Sequence, residues 1–131
     1  MPSRFATVRQ AAAPDTYAPD GSEIRFLGQV AAGSMVHCRL PPGGCSSPVR
    51  HRTVEEVWYV LAGAGELWRR QDGHEEIVPL RPGVSATIPL GTDFQFRATA
   101  ADGLDLVIVT MPPWPGADEA VPASGHWPVP G

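Results

Sequence analysis

The chain has 131 residues, of which 43% are hydrophobic, so it is long enough for one domain with a buried core. Its net charge of −4 and its lack of a basic cluster give no electrostatic support for nucleic-acid binding. No apolar run approaches the length that spans a bilayer, and the N-terminus lacks the apolar core of a signal peptide. We therefore expect a cytoplasmic protein, without a membrane partner, in which Cys38 and Cys45 are free thiols. The alternative is a disulfide, since the two cysteines flank a turn that could hold them close.

Turn residues divide the chain into three predicted segments. Residues 1–21 form an N-terminal arm, residues 22–110 a β-barrel, and residues 111–131 a tail rich in Pro and Trp. Gly and Pro residues separate short stretches with period-two alternation. The predicted strands are Glu23–Gln29, Ser34–Leu40, Val54–Leu61, Glu66–Arg70, His74–Leu80, Val84–Ile88, Asp93–Ala98 and Leu104–Thr110. This series of short strands favours an all-β sandwich or barrel of the jelly-roll type.

The predicted strand Val54–Leu61 is apolar on both faces after its acidic start. Trp58 and Val60 share one side with Glu56, because side chains alternate along a strand. The side chains of the other face are also large and apolar: Val57, Tyr59 and Leu61. An outer face of this kind needs cover, so we expect a homodimer in which a partner subunit supplies it.

The tail carries two tryptophans, Trp114 and Trp127, among several prolines. Each ring would bury a large apolar area on docking, which argues against a free, disordered tail. The favoured interpretation is a tail that packs on its own barrel or on the dimer mate. The alternative is a lid over the barrel mouth.

The most informative stretch runs from Gly43 to Gly63. It resembles the first sequence motif of the cupins, which reads Gly, five residues, His-x-His, three or four residues, Glu, six residues, Gly. His51 and Glu56 fall on the second His and the Glu of that pattern. Val49 stands where the first His should be, so one metal ligand of the motif is missing.

The second cupin motif is also present without its metal ligand. Arg81-Pro82-Gly83-Val84 matches a Pro-Gly-Asp turn with Val for Asp, and Pro89-Leu90-Gly91 matches Pro-x-Gly. Phe94 then occupies the His position, and Ala98 replaces a later Asn. The resemblance covers about residues 34–110 and implies a single-domain cupin jelly-roll barrel with a degenerate metal motif.

The resemblance implies a metal set of three His and one Glu, of which two members are lost here. Catalytic metals usually have at least three protein ligands, so we expect no metal cofactor. If a divalent metal binds, His51 and Glu56 would hold it together with another His. His37 is the best remaining candidate, but alternation places it on the outer face of its strand.

The interior of the implied barrel combines an acid and a base with apolar walls. If His51 and Glu56 point inward as in the family, alternation brings further side chains to their side: Val49, Trp58, Val60, Phe94 and Phe96. Such a wall suits a small, partly apolar or aromatic molecule. We expect metal-independent proton transfer, such as isomerisation, epimerisation or cyclisation, with His51 as base or acid and Glu56 as its partner.

Other functions remain open from the sequence. The chain could be a metal-dependent enzyme of the dioxygenase or sugar-isomerase type with a rearranged ligand set. It could also be a non-catalytic module for sensing or storing a small molecule, in which His51 and Glu56 only satisfy each other's hydrogen bonds.

Overall fold

The computed structural model describes residues 4–129, and strands dominate this part of the chain. The strands are β1 Thr16–Tyr17, β2 Glu23–Val30, β3 Gly33–Leu40, β4 Val49–His51, β5 Glu55–Gly63, β6 Gly65–Gln71, β7 His74–Leu80, β8 Ser85–Ile88, β9 Asp93–Ala98, β10 Leu104–Met111 and β11 Ala120–Pro122. A short 3-10 helix, Ala117–Glu119, directly precedes β11.

The strands form two antiparallel sheets. The first sheet has the order β1-β2-β3-β10-β5-β8, and the second has the order β11-β4-β9-β6-β7. The chain passes from one sheet to the other at several connections, including β3 to β4, β4 to β5 and β5 to β6. This arrangement confirms the predicted all-β jelly-roll barrel.

The alternation of apolar residues located the long strands within two residues at each end. β7 and β9 have the predicted bounds. Three short strands were not predicted: β1, β4 and β11. They span only two or three residues each, which is too short for a period-two pattern to be seen.

The core lies between the two sheets and is built from alternate side chains of their central strands. Trp58, Leu67, Phe96 and Leu106 are fully buried there. The rings of Trp58 and Phe96 meet edge to face, with centroids 4.8 Å apart. Aromatic pairs of this geometry add to the free energy of burial, so this cluster stabilises the core.

The C-terminal segment packs on its own barrel in two places. Its strand β11 pairs with β4 and extends the second sheet. Further along, the buried amide of Gln95 fixes the backbone: its Nε2 donates to the carbonyl oxygen of Trp127 at 2.8 Å, and its Oε1 accepts from the N–H groups of His126 and Trp127 at 2.9 Å each. The Arg97 guanidinium lies 4.4 Å from the centroid of the Trp127 ring. This packing agrees with the favoured interpretation of the tail.

The outer face of the first sheet exposes the apolar side chains that the sequence placed there. Tyr59 is 49% exposed in the single chain, and Val57 and Leu61 are similarly open. Strand register continues this patch, because Val57 lies opposite Val109 and Val109 lies opposite Met35. The result is a contiguous apolar surface across β3, β10 and β5.

Cys38 and Cys45 are free, as expected. Within residues 4–129, no helix has the length and apolarity that crossing a membrane requires.

Candidate active site

A cavity of about 380 Å³ opens at one end of the barrel between the two sheets. Trp58, Phe94 and Ile108 contribute to its wall, and its rim carries the exposed rings of Tyr17 and Phe26. Aromatic and aliphatic side chains therefore form most of the surface that a bound molecule would contact. A few polar groups interrupt this apolar wall, as in typical small-molecule sites.

His51 ends the short strand β4 and lines this cavity. Only 7% of the residue is exposed, and its ring lies edge to face with Phe94 at 5.1 Å and with Trp114 at 5.2 Å between centroids. Burial lowers the pKa of His51 to about 4, although the nearby Glu119 charge works in the opposite direction. The imidazole is therefore neutral at physiological pH.

The surroundings of His51 also favour one tautomer. Its Nδ1 is buried and has no hydrogen-bond partner within residues 4–129. A buried N–H without an acceptor is rarer than a buried acceptor without a donor. The tautomer with the proton on Nε2 avoids such an orphan N–H, so His51 has an N–H group available for a ligand.

Glu56 lies on β5, opposite Thr110 of β10. Its Oε1 accepts a hydrogen bond from the Trp58 indole N–H at 2.9 Å, and its Oε2 accepts one from the Thr110 hydroxyl at 3.2 Å. Burial raises the pKa of Glu56 to about 7 despite these two donors, with smaller contributions from the Asp20 and Glu119 charges. Near neutrality, Glu56 is thus present in both its protonated and its charged form.

Burial lowers the pKa of His51 and raises that of Glu56, so the two groups can do different chemistry at neutral pH. Glu56 can give or take a proton near pH 7, because its pKa is about 7. His51 is a poor base at that pH and acts as a neutral hydrogen-bond donor. The sequence suggested an acid–base pair of two titrating groups, whereas the structure favours one titrating carboxyl and one fixed polar group.

Five of the seven predicted site residues line one cavity: Val49, His51, Glu56, Trp58 and Phe94. Val60 and Phe96 do not line it and lie in the core instead. Alternation indicated correctly that they face the barrel interior. Their positions along the strands place them beyond the reach of the cavity.

Several residues of the site were not singled out from the sequence. Asp20, Thr110 and Trp114 line the cavity as well, although Trp114 was considered as part of a lid. Glu119 fixes the backbone directly before β5, because its carboxylate accepts hydrogen bonds from the Val54 N–H at 3.0 Å and the Thr53 hydroxyl at 2.7 Å. Residues distant in sequence supply these groups, and no local pattern marks them.

The residues present do not fit a metal centre. Among residues 4–129, no three His, Cys, Asp or Glu side chains come together in a way that could hold a metal ion. His37, the best alternative ligand, does not line the cavity and bonds through Nε2 to Asp105 at 2.8 Å. Asp93 pairs with Arg50 and Arg70. Phe94 and Val49 occupy the motif positions of the missing imidazoles and line the cavity with apolar groups.

The solved structures of similar fold belong to several differently named proteins. They include the CENP-C cupin domain of Drosophila melanogaster (19% identity, TM-score 0.62, covering 70% of this chain and 66% of that one). KdgF from Halomonas sp. matches with 19% identity and a TM-score of 0.61, over 80% of this chain and 88% of that one. A predicted oxalate decarboxylase from Thermotoga maritima matches with 20% identity and a TM-score of 0.63, over 76% and 91%.

Identities at this level show the fold alone, because one fold serves many unrelated functions. No curated protein sequence matches this chain significantly. The family model described as "Cupin domain" matches residues 36–110, which is more than half of the chain and includes both motifs. The chain therefore belongs to the cupin family.

Proposed function

We propose that the barrel binds a small, partly apolar or aromatic molecule and moves a proton on it without a metal. The observation that carries this proposal is the cavity in which His51 and Glu56 meet walls of Trp58 and Phe94. Its volume of about 380 Å³ suits a compact organic molecule.

The two polar groups support an isomerase-type step on a carbonyl compound. In its carboxylate form, Glu56 removes a proton from the carbon next to the carbonyl. The His51 N–H donates a hydrogen bond to the carbonyl oxygen, where negative charge develops. Glu56 then returns the proton to a different atom or to the other face, which completes an isomerisation or epimerisation. A neutral imidazole is the suitable donor here, since it stabilises the oxyanion without protonating it first.

The hydrogen bonds to Glu56 support this role. The Trp58 indole N–H and the Thr110 hydroxyl each bond to a different carboxyl oxygen, so the group has a fixed orientation. Neither partner titrates near neutral pH, so neither competes for the proton.

Deuterium exchange tests the proposal. Phenylacetone and related aryl ketones are incubated with the protein in D2O and excess EDTA, and proton NMR follows loss of the C–H signals next to the carbonyl. We expect exchange with the wild-type protein and at least about a hundredfold loss in Glu56→Gln, the range typical of a positioned general base. His51→Gln should lose less, about tenfold, because only a hydrogen bond is removed.

Glu55→Gln is the matched control. Glu55 is the neighbouring exposed carboxyl, which accepts a hydrogen bond from the Leu90 N–H at 3.0 Å, and its substitution removes the same formal charge. Binding without exchange would contradict the catalytic step and indicate a non-catalytic binding module. Exchange that is unchanged in Glu56→Gln would assign the proton transfer to another group.

We further propose that the exposed face of the first sheet joins two copies of the chain. Its apolar side chains form one contiguous surface centred on Val57 and Tyr59, which a soluble monomer rarely leaves uncovered. Sedimentation should then give twice the 14.0 kDa mass of one chain. Tyr59→Glu should dissociate this dimer. Ile77→Glu, at an exposed apolar position on the other sheet, should not. A wild-type protein that sediments as a monomer would contradict the proposal.

A further inference from the structure

Among residues 4–129, the cavity wall carries two carboxyl groups and no arginine. Asp20 and Glu56 both line the cavity, whereas none of the ten basic residues, which are all arginines, does so. Within residues 4–129, the arginine ion pairs involve other carboxylates. A bound cation would supply the positive charge that residues 4–129 do not place beside these two carboxyls.

Asp20 is held in a closed turn that fixes its position. The Ala18 N–H bonds to the Ser22 carbonyl oxygen at 2.9 Å, and the Ser47 N–H bonds to the Asp20 carbonyl oxygen at 2.9 Å. The N–H and hydroxyl of Ser22 both donate to Asp20 Oδ1, at 3.0 and 2.7 Å. Burial raises the pKa of Asp20 although Ser22 lowers it. Asp20 is half-buried and lines the cavity, so its carboxyl is within reach of a ligand there.

Aromatic rings surround the same space. Tyr17, Phe26 and Trp114 belong to the cavity wall, and Tyr17 is 64% exposed at the rim. The faces of such rings attract organic cations, most strongly where water is excluded. His51 lines the same cavity, is nine-tenths buried and adds no charge at neutral pH. Its Nδ1 has no hydrogen-bond partner in the part of the chain that the structure describes.

We propose that the cavity selects an organic ammonium ion with an apolar body, its charge held between the Asp20 carboxylate and the aromatic rim. This inference rests on the proposed function and names the class of molecule that the cavity takes. The apolar body lies against Trp58 and Phe94, where Glu56 and His51 reach it. A ligand with a carboxylate or phosphate group is disfavoured, because its charge would lie beside two carboxyls with no arginine among the described residues of the wall.

Three probes with one aromatic body and different head charges test the inference. They are 2-phenylethylamine, 2-phenylethanol and 3-phenylpropionate, titrated by calorimetry at about pH 8, where Glu56 is ionised because its pKa is about 7. We expect the ammonium probe to bind about tenfold tighter than the alcohol, as a cation between a carboxylate and aromatic rings would. The carboxylate probe should bind most weakly.

Asp20→Asn should remove this preference while affinity for the alcohol stays within about twofold. The asparagine Oδ1 still accepts both bonds from Ser22, so the turn should persist, and thermal unfolding checks this directly. Glu55→Gln removes one formal charge outside the cavity and should leave all three affinities unchanged.

The outcomes separate this inference from the function on which it rests. If the alcohol or the carboxylate binds best, or if Asp20→Asn keeps the preference, the inference is overturned. Deuterium exchange that depends on Glu56 would then still support the proposed function. If none of the three probes binds at millimolar concentration, the inference is also overturned, and continued exchange of the aryl ketones would show that the barrel itself is competent.

Discussion

His51→Gln should make the protein lose stability as the pH rises from about 4.5 to about 7. In this variant the raised pKa of Glu56, from 4.5 to about 7, is no longer offset by the lowered pKa of His51. The folded state then binds more protons than the unfolded state between these values. The stability that protonated Glu56 contributes is complete below about pH 4.5 and is lost as the pH passes its folded pKa. The expected loss is up to roughly 3 kcal/mol, from about 1.4 kcal/mol per pKa unit.

Glu56→Gln should show the opposite trend. It leaves His51, whose pKa falls from 6.5 to about 4 on folding, so the folded state binds fewer protons than the unfolded state in that range. The stability linked to neutral His51 is complete above about pH 6.5 and is lost as the pH falls through about 4. In the wild-type protein the two effects offset each other over much of the range.

Urea unfolding at a series of pH values measures both effects. The difference from wild type gives the contribution of the substituted group together with its coupling to neighbouring carboxyls such as Glu119. Glu55→Gln, an exposed carboxyl, should follow the wild-type profile. If both site variants kept the wild-type profile, the burial and pKa shifts assigned to His51 and Glu56 would be wrong.

Gly63→Ala should destabilise the fold by more than about 4 kcal/mol. Gly63 has φ 78°, and a Cβ at this position would overlap the carbonyl oxygen of Gly103 in the neighbouring loop. Gly103 is itself tightly placed, since a Cβ there would lie 2.6 Å from the Leu40 carbonyl oxygen. The overlap can therefore be relieved only if the backbone at Gly63 moves away from the backbone at Gly103, at the end of the first sheet.

Gly73→Ala separates the two causes of this loss. Gly73 has the same φ of 78°, but a Cβ there meets nothing within 4 Å. Its substitution should cost only the backbone strain, about 1 kcal/mol. Denaturant unfolding compares the two variants. If both variants lost the same free energy of unfolding, the close approach of Gly63 to Gly103 would not be the cause of the larger loss predicted for Gly63→Ala.

His51 and Glu56 line the cavity, and the family motif had indicated that they face the barrel interior. Gly43 and Gly63 have positive φ, and side chains alternate along the two strands from Val49 to Gly63, β4 and β5. Alternation then brought Trp58 and Phe94 to the same interior. It could not say how deep along the barrel a side chain lies, so Val60 and Phe96, of the same parity, belong to the core.

The rest of the site depends on chain segments that meet only in the folded protein. Asp20 comes from a turn before β2, and Trp114 follows β10. Neither lies in a periodic stretch. The pKa shifts of His51 and Glu56 could not be predicted either, because the direction of a pKa shift depends on burial and on neighbours such as Asp20 and Glu119. The sequence shows which ionisable residues are present, but it does not show which of them become buried on folding.

The most direct test of this account is the pKa of the Glu56 carboxyl. Carbon-13 NMR of protein labelled at the Glu side chains can follow it, with the signal assigned through its absence in Glu56→Gln. We expect a pKa of about 7, which would place a proton-transferring group in the cavity at neutral pH. A pKa near the ordinary value of 4.5 would mean that the carboxyl is solvated or paired, and would contradict the proposed proton transfer.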